Sequence, residues 1–599
     1  MDASQPAESR AMLCYPFRMR ERRDVLVAVV IVLAVVAAYL PALGASFVWN
    51  DDTYLTENRV LDRPDALKLI WTEPQANEQY YPLVFTTFWL EKKLWGLHPF
   101  GFHLVNVLLH ASAALLLAAL LRRLRLSGAW PAAALFALHP VCVESVAWVT
   151  ERKNTLSMVL TLAAMLAFLA NRDARLAERE RRKARGRSEA PPWWRRPGPI
   201  YVAALAAFTL ALFAKTTASL LPAVLLVIAW WQHGRVRWVD VRALAPFFLI
   251  GAALALHTAE LERTMVGAAG AEWSLSLPGR IVLAGRVVWL YLGKLLWPVD
   301  LAFIYPRFAV DPHRLVQWLP AVAALALLAA LWSLRARIGR GPLAGALVFG
   351  GVLVPAMGFF NVYAMRYSWV ADHFAYQAAM VFAVVVGCGA AALVERRSVV
   401  VRRAAVVAAV VIATSLGGLV FAQSRAYHDE DTLWRDTLAK SPDCFMCHTN
   451  YGYSLAQRGR IAEAIEHFQA SLAIKPDNVQ AHMNLARIED ERGRLAEAIG
   501  HCRAALAVDP GHGPAHVTLG SLLLRSGDVE AAAARFEEAL GLPSADAVMA
   551  HNGLGAALVR LGRVDEGIAQ IREALRLDPS YAPARMNLDN ALAQARARR

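Results

Sequence analysis

"VVVRRAAVVAAVVIATSLGGLVFAQSRAYHDEDTLW", residues 399 to 434, decides how the rest of the chain is read. Behind the basic pair Arg402 and Arg403 runs an unbroken apolar stretch over 404–421, long enough to cross a bilayer as a helix. After residue 422 the composition turns abruptly to a soluble, Ala-rich helical pattern. This stretch therefore joins two different kinds of structure.

Upstream, the chain is built for lipid. Of its 599 residues 57% are hydrophobic and 19% charged, and the mean hydropathy is +0.35, too apolar for an ordinary soluble protein. The net charge of +14 suits either nucleic acid or a negatively charged lipid surface. The basic clusters decide between them, because they fall between apolar stretches, at 18–23, 122–126, 171–198, 233–238, 335–340 and 395–403. Such loop charges fix membrane topology, so the lipid bilayer is the partner and no nucleic acid is expected.

With the basic loops held in the cytoplasm, spans near 25–43, 102–121, 128–142, 155–170, 199–214, 217–231, 243–258, 316–334, 343–360, 375–394 and 404–421 alternate without conflict. The segment 280–297 carries Arg280, Arg286 and Lys294 and reads as a re-entrant, interfacial or cavity-lining helix. The basic start of the chain, 1–24, stays cytoplasmic, and the first apolar run is an uncleaved signal anchor. Loops 44–101, 143–154, 259–315 and 361–374, and everything after 422, then face outward. The expectation is an all-α, polytopic membrane domain of about 11–13 spans over 25–422.

Downstream, the pattern repeats. Gly459, Gly493 and Gly527 recur at intervals of 34, and Gly562 follows after 35. Pro476 and Pro510 keep the same spacing, as do Ala464, Ala498 and Ala532, with Gly452, Gly520 and Gly555 in phase on the first helix of their units. This is the signature of tetratricopeptide repeats, helix pairs whose small residues allow close crossing. Four repeats are expected at 446–478, 479–512, 513–546 and 547–581, with a half-unit at 431–443, a capping helix from about 582, and an α-solenoid domain spanning 423–599. Such arrays bind extended peptides or partner proteins. Within it, "CFMCH" matches the attachment pattern of c-type haem through Cys444, Cys447 and His448. A chance match or a local disulfide is the preferred reading, because no axial ligand or cavity accompanies the motif, and no second ligand pair suggests zinc.

Ionisable residues beside spans are costly and usually functional, and the outer face collects them. Asp51, Asp52 and Asn58 lie in the first loop. His103, Asn106 and His110 share one helical face. Glu144, Arg152 and Lys153 follow in the next outer turn, Lys215 ends another hairpin, and Arg366, Asp372, His373 and Tyr376 close the set.

The order of "FVWNDDTYLTEN" (47–58), "YYPL…HPFGFHLVNVLLH" (80–110), "ALHPVCVESVAWVTERKN" (137–154), "LFAKTTASLLPAVLL", "LLWPVDLAFIYP" and "ADHFAYQ", ending in the repeats, resembles the transmembrane and tetratricopeptide repeat-containing O-mannosyltransferases and their bacterial relatives. The resemblance implies a C-type glycosyltransferase fold that moves a sugar, mannose or another hexose, from a polyprenyl-phosphate carrier to Ser or Thr hydroxyls of outer-face proteins, with inversion. It also implies a catalytic acid in the first outer loop, matched here by Asp51 and Asp52. Two departures stand out: Lys215-Thr216 where relatives often carry Lys-Glu, and Asp372-His373 where an Arg often follows the acid.

The chemistry suits these residues. A carboxylate must accept the proton of the attacking hydroxyl; Asp51 is the first choice and Asp52 the alternative. The partner aspartate can hold the acceptor, raise its neighbour's pKa or bind a divalent cation. Charge growing on the departing lipid phosphate needs cations, for which Arg152, Lys153, Lys215, Arg366 and His373 are the candidates; Asn58, His103, Asn106, His110, Glu144, Asp372 and Tyr376 support them. Composition and resemblance place the protein in a bacterial inner membrane with its repeats in the periplasm and acceptor proteins on the repeats; in a eukaryote the endoplasmic reticulum is the equivalent. The alternative is a non-catalytic membrane anchor whose repeats assemble a periplasmic complex.

Overall fold

Each apolar stretch threaded above is helical in the computed structural model, which describes residues 22–185, 197–264 and 275–598. Most of the cytoplasmic start (1–24, with Cys14), the middle of the basic linker 171–198 and part of loop 259–315 lie outside the described residues. The chain divides into two compact units, 1–440 and 441–599.

The first unit is a bundle whose central members are Pro99–Arg123, Arg152–Arg185 and Tyr376–Glu395. Among the described residues, six helical segments are long and apolar enough to cross a membrane alone: Pro99–Arg123, Val149–Glu178, Trp238–Thr264, Leu315–Ile338, Asp372–Glu395 and Val399–Tyr427. A seventh is available if Ala129–Ala137 and Pro140–Ala147, bent by 54° at the break between them, count as one. The expected 11–13 spans are reached only by adding shorter helices. Prolines and polar residues cut these short: the first ends at Ala38 just before Pro41, and Lys215 separates Pro197–Ala214 from Leu221–His233. Small residues set the closest crossings. A Cβ on Gly387 would lie 2.7 Å from Ala132 Cα, and one on Gly285 would lie 2.7 Å from Ala321 Cα.

The segment 280–297 is one helix, Leu277–Leu296, with a buried stripe through Val282, Gly285, Val287 and Tyr291. Its basic residues bind loop carbonyls instead of facing lipid: Arg286 donates to Ala309 O at 2.8 Å, and Lys294 to Val299 O and Asp300 O at 2.9 Å.

The first outer loop is a folded element. A π-helical turn, Asp52–Thr56, is followed by short helices and then Pro82–Trp95. Tyr54, Leu55, Leu61 and Ile70 pack with Phe85, Phe88, Phe102 and Val149 in one apolar cluster, which anchors the loop on the outer ends of the helices. Just before it, Trp49 has a φ of 46°, a left-handed conformation that costs energy for a bulky residue. Its neighbours hold it there: the ring stacks on Trp148 at 5.5 Å and meets Phe303 and Trp434 edge-on, while Glu430 Oε1 accepts its N–H at 3.1 Å.

Helix Glu430–Lys440, read above as a repeat half-unit, packs within the first unit, where Trp434 is buried beside Trp49 and Phe303.

In the second unit the repeats are four helix pairs: Phe445–Gln457 with Ile461–Ile474, Val479–Glu491 with Leu495–Val508, Gly513–Ser526 with Val529–Leu540, and Ala547–Arg560 with Val564–Leu577. A capping helix, Ala582–Arg598, follows. The period has a physical basis at two kinds of glycine. Gly459, Gly493, Gly527 and Gly562 turn the chain between paired helices with φ of 73–93°. At the crossings, a Cβ on Gly452 or Gly520 would come within 2.9 Å of Phe468 or Phe536.

Candidate active site

The turn Val149–Glu151, between the bent helix and Arg152–Arg185, organises the site. Thr150 reaches the first loop, where its N–H donates to Asp51 Oδ1 at 2.8 Å and its hydroxyl to the same oxygen. Asp51 Oδ2 accepts the Val48 N–H at 3.0 Å. Asp51 is fully buried. Burial pushes its pKa up to about 7, against the opposing bonds from Thr150 and Val48.

Asp52 is the open member of the pair. Half-buried at the start of the π-helical turn, it accepts the Thr53 N–H through Oδ1 at 2.6 Å. Desolvation, outweighing that bond, raises its pKa above the usual carboxylate value, and Glu57, Glu430 and Glu78 add repulsion.

Next to Thr150, Glu151 is the centre of a cluster of two lysines and a histidine. Its buried carboxylate lies 2.8 Å from Lys153 Nζ, 3.5 Å from Lys215 Nζ and 3.9 Å from His373 Nε2. Asn154 ties the group together, donating to Glu151 Oε2 at 2.6 Å and to His373 O at 3.1 Å while accepting from Lys215 Nζ at 2.7 Å. Glu144 takes both His373 N–H and ring Nδ1 at 2.8 Å. The side chains of Lys153, Lys215 and His373 keep 12–13% of their surface exposed, while Glu151 is fully buried. Burial pushes the Lys215 pKa down to about 8, with Glu151 resisting and Lys153 reinforcing. Lys153 also lies 5.7 Å from the rings of Tyr54 and Tyr81 and 5.9 Å from Trp148. It bridges the acidic loop and the cation cluster.

Other expected site residues serve the scaffold. Arg152 is fully buried; it pairs with Glu91, donates to Asn106 Oδ1 and Phe102 O at 2.7 Å, and packs on Phe88. Its guanidinium is fully buried on these partners, whereas Lys153, Lys215 and His373 keep part of their side chains exposed. Asn106 donates to the carbonyls of Trp148 and Val149, His103 faces Ser46 O at 3.4 Å, and His110 joins Tyr376 OH at 2.7 Å to Ala137 O at 3.0 Å. Asn58 caps Arg59–Asp62 through Val60 N and binds Asn77. Asp372 accepts from Tyr305 OH at 2.8 Å. Arg366 sits in the adjoining turn Tyr363–Arg366, 5.9 Å from the Tyr367 ring.

Two ligand readings also meet the structure. Asp51 takes three hydrogen bonds beside Asp52, and among the described residues no group of three or more His, Cys, Asp or Glu that could hold a metal ion occurs. Cys444 and Cys447 are joined in a disulfide, and His448 is engaged by His467 and Pro442 O, so the atoms a c-type haem needs are committed elsewhere.

Sequence reasoning passed over Glu151, Asn154, Thr150 and Tyr305. The available signal was "TERKN" (150–154), a carboxylate directly before two cations on a turn between two apolar helices, where an unpaired charge is costly.

This all-α arrangement defines a multi-pass membrane protein with a tetratricopeptide-repeat unit. The sequence matches the tetratricopeptide repeat family over residues 432–479, 452–512 and 517–582, and a second description of that family over 491–542. It has homologues named protein O-mannosyl-transferases. F38B6.6 of Caenorhabditis elegans is 32% identical over 149 residues, 22% of each chain. Tmtc3 of Drosophila melanogaster is 33% identical over 179 residues, 24% of this chain and 19% of the relative. Tmtc1 of the same organism is 36% identical over 141 residues, 22% and 16%. The match spans about a fifth of the length of these relatives. Among solved structures the chain is similar to YrrB, titled a TPR protein with an unusual peptide-binding site, at 18% identity and a TM-score of 0.25 over 27% of this chain and 84% of that one.

Proposed function

We propose that the protein is a membrane O-glycosyltransferase that moves a sugar, mannose or another hexose, from a polyprenyl-phosphate carrier to Ser or Thr hydroxyls of outer-face proteins. The observation that carries the reading is Glu151 gathering Lys153, Lys215 and His373 one residue from the Thr150 clasp on the first acidic loop. Asp52 is the base: it is accessible, its pKa is raised, and its second oxygen can take the acceptor's proton. That hydroxyl oxygen bonds the anomeric carbon as the bond from that carbon to the phosphate oxygen breaks, and the electron pair leaves with the phosphate. Lys153, Lys215 and His373 offset the growing charge. Glu151 and Glu144 orient these cations, and Asp51 fixes the loop.

The homologues named O-mannosyl-transferases support the reaction class, and the repeats support capture of the acceptor protein. The Cys444–Cys447 disulfide favours an oxidising compartment for the repeats, which is the periplasm of a bacterial inner-membrane protein. Purified protein given a polyprenyl-phosphate-linked sugar and an extracytoplasmic acceptor should yield a glycosylated Ser or Thr by mass spectrometry. A wild-type preparation that never transfers sugar, with membranes and acceptors from its own cell supplied, would leave the non-catalytic anchor as the reading.

A further inference from the structure

A groove of about 590 Å³ opens between the end of the first apolar helix and the end of the last, lined by Leu40, Pro41, Phe421, Arg425, His428 and Thr432. It is outside the network around Glu151. Below it both helices present apolar side chains outward: Val29, Val30 and Leu33 on one, Val407, Val410 and Val411 on the other. The groove thus continues a lipid-facing surface and ends in polar groups at the point where the segment Val399–Tyr427 finishes.

Charge distinguishes the head of the groove. Arg425 is exposed, its guanidinium lies 5.1 Å from the Phe421 ring, and among the described residues it makes no ion pair. The acids that follow it are already engaged. Asp429 Oδ1 accepts the Thr432 N–H at 2.8 Å, Glu430 accepts the Trp49 N–H, and Asp431 pairs with Arg435. His428 holds the two walls together through its carbonyl, which accepts Ser46 N–H at 2.8 Å and Ser46 hydroxyl at 3.1 Å, while its ring stays exposed.

We propose that this groove binds one anionic phospholipid, its phosphate on Arg425 with the His428 ring and the Thr432 hydroxyl as further donors, its chains along the outward faces of the two helices. A guanidinium held over an aromatic ring suits a phosphate at the depth where chain meets headgroup. Because Ser46 begins the stretch that leads to Trp49 and Asp51, an occupied groove also braces the stem of the first outer loop.

The test is native mass spectrometry of the full-length protein, delipidated in detergent and offered phosphatidylglycerol or phosphatidylcholine. The wild type should retain one phosphatidylglycerol in preference to phosphatidylcholine, and Arg425→Gln with His428→Gln should lower phosphatidylglycerol retention roughly tenfold with phosphatidylcholine unchanged. If that double variant fails to fold, Phe421→Leu, which removes only the ring beneath the guanidinium, should show the same selective loss. Equal retention of the two lipids, or a variant that binds as the wild type does, overturns the proposal. So does displacement by millimolar inorganic phosphate, which marks an anion site alone, or preferential filling by polyprenyl phosphate, which makes the groove a carrier site.

Discussion

Thr150 gives both its backbone N–H and its hydroxyl to a single oxygen of Asp51, a residue 99 positions away. That pair of hydrogen bonds clasps the first outer loop to the turn bearing Glu151 and divides the two aspartates: Asp51 is held in the fold, while Asp52 stays half-exposed.

The division predicts opposite outcomes for two similar substitutions. Asp51→Asn or Thr150→Val leaves buried donors or acceptors unmatched and should lower stability by about 1–3 kcal/mol, read by thermal unfolding in detergent. Asp52→Asn, on a half-exposed side chain, should leave the melting temperature near wild type and reduce transfer by roughly 10²–10⁴-fold.

Arg152 and Lys153 are adjacent, and they should separate in the same way. Arg152→Ala strands the buried Glu91 carboxylate and should cost about 3–5 kcal/mol. Lys153→Ala leaves the buried Glu151 paired with Lys215 and should cost less stability than Arg152→Ala while lowering the rate.

Activity should fall at alkaline pH. Lys215 titrates at about 8 in the folded protein against an ordinary 10.5, so its ammonium is lost as pH rises past about 8 and transfer should decline with it. Stability moves the other way, because between about 8 and 10.5 the unfolded chain binds more protons at this position and the contribution of Lys215 rises with pH. Asp51, raised from 3.8 to about 7, has the opposite sign: its contribution is full below 3.8 and is lost as pH rises towards about 7. Rate and unfolding measured across pH in wild type and Lys215→Arg test this; an alkaline limb that stays put in the variant contradicts it.

In the repeats, His448 meets His467 through Nδ1 atoms 2.8 Å apart, and His482 meets His501 at 3.1 Å. Burial lowers the pKa of His448, His467 and His501. Folding therefore favours their neutral forms, and the stability they contribute is present above the ordinary 6.5 and lost as pH falls below it. Hydrogen exchange of helices in 441–599 should accelerate at acid pH. His467→Gln with His501→Gln should flatten that response, as Gln570 already faces His551 in the last pair at 2.7 Å.

Much of this architecture was legible because periodicity and hydropathy are local properties. The glycines at intervals of 34 mark the turns between paired helices, and the apolar runs mark helices within a few residues. Span count was less legible, since Pro41, the break before Pro140 and Lys215 shorten helices in ways only packing shows. The acidic pair could be located but not divided, because the burial of Asp51 depends on Thr150, far away in sequence. Arg152 looked like a phosphate ligand because its sequence neighbours are polar; its partners Glu91, Phe102 and Asn106 come from other helices. Glu151 escaped notice for the converse reason, since its value lies in Lys215 and His373, which sequence does not place beside it.

The most direct test is sugar transfer in membranes that carry wild type, Asp51→Asn or Asp52→Asn at equal folded amounts, with a polyprenyl-phosphate-linked hexose as donor and glycosylated acceptor counted by mass spectrometry. The account predicts product with wild type, loss of transfer per folded molecule with Asp52→Asn, and a smaller loss with Asp51→Asn that tracks its lowered stability. Full transfer by folded Asp52→Asn would contradict it.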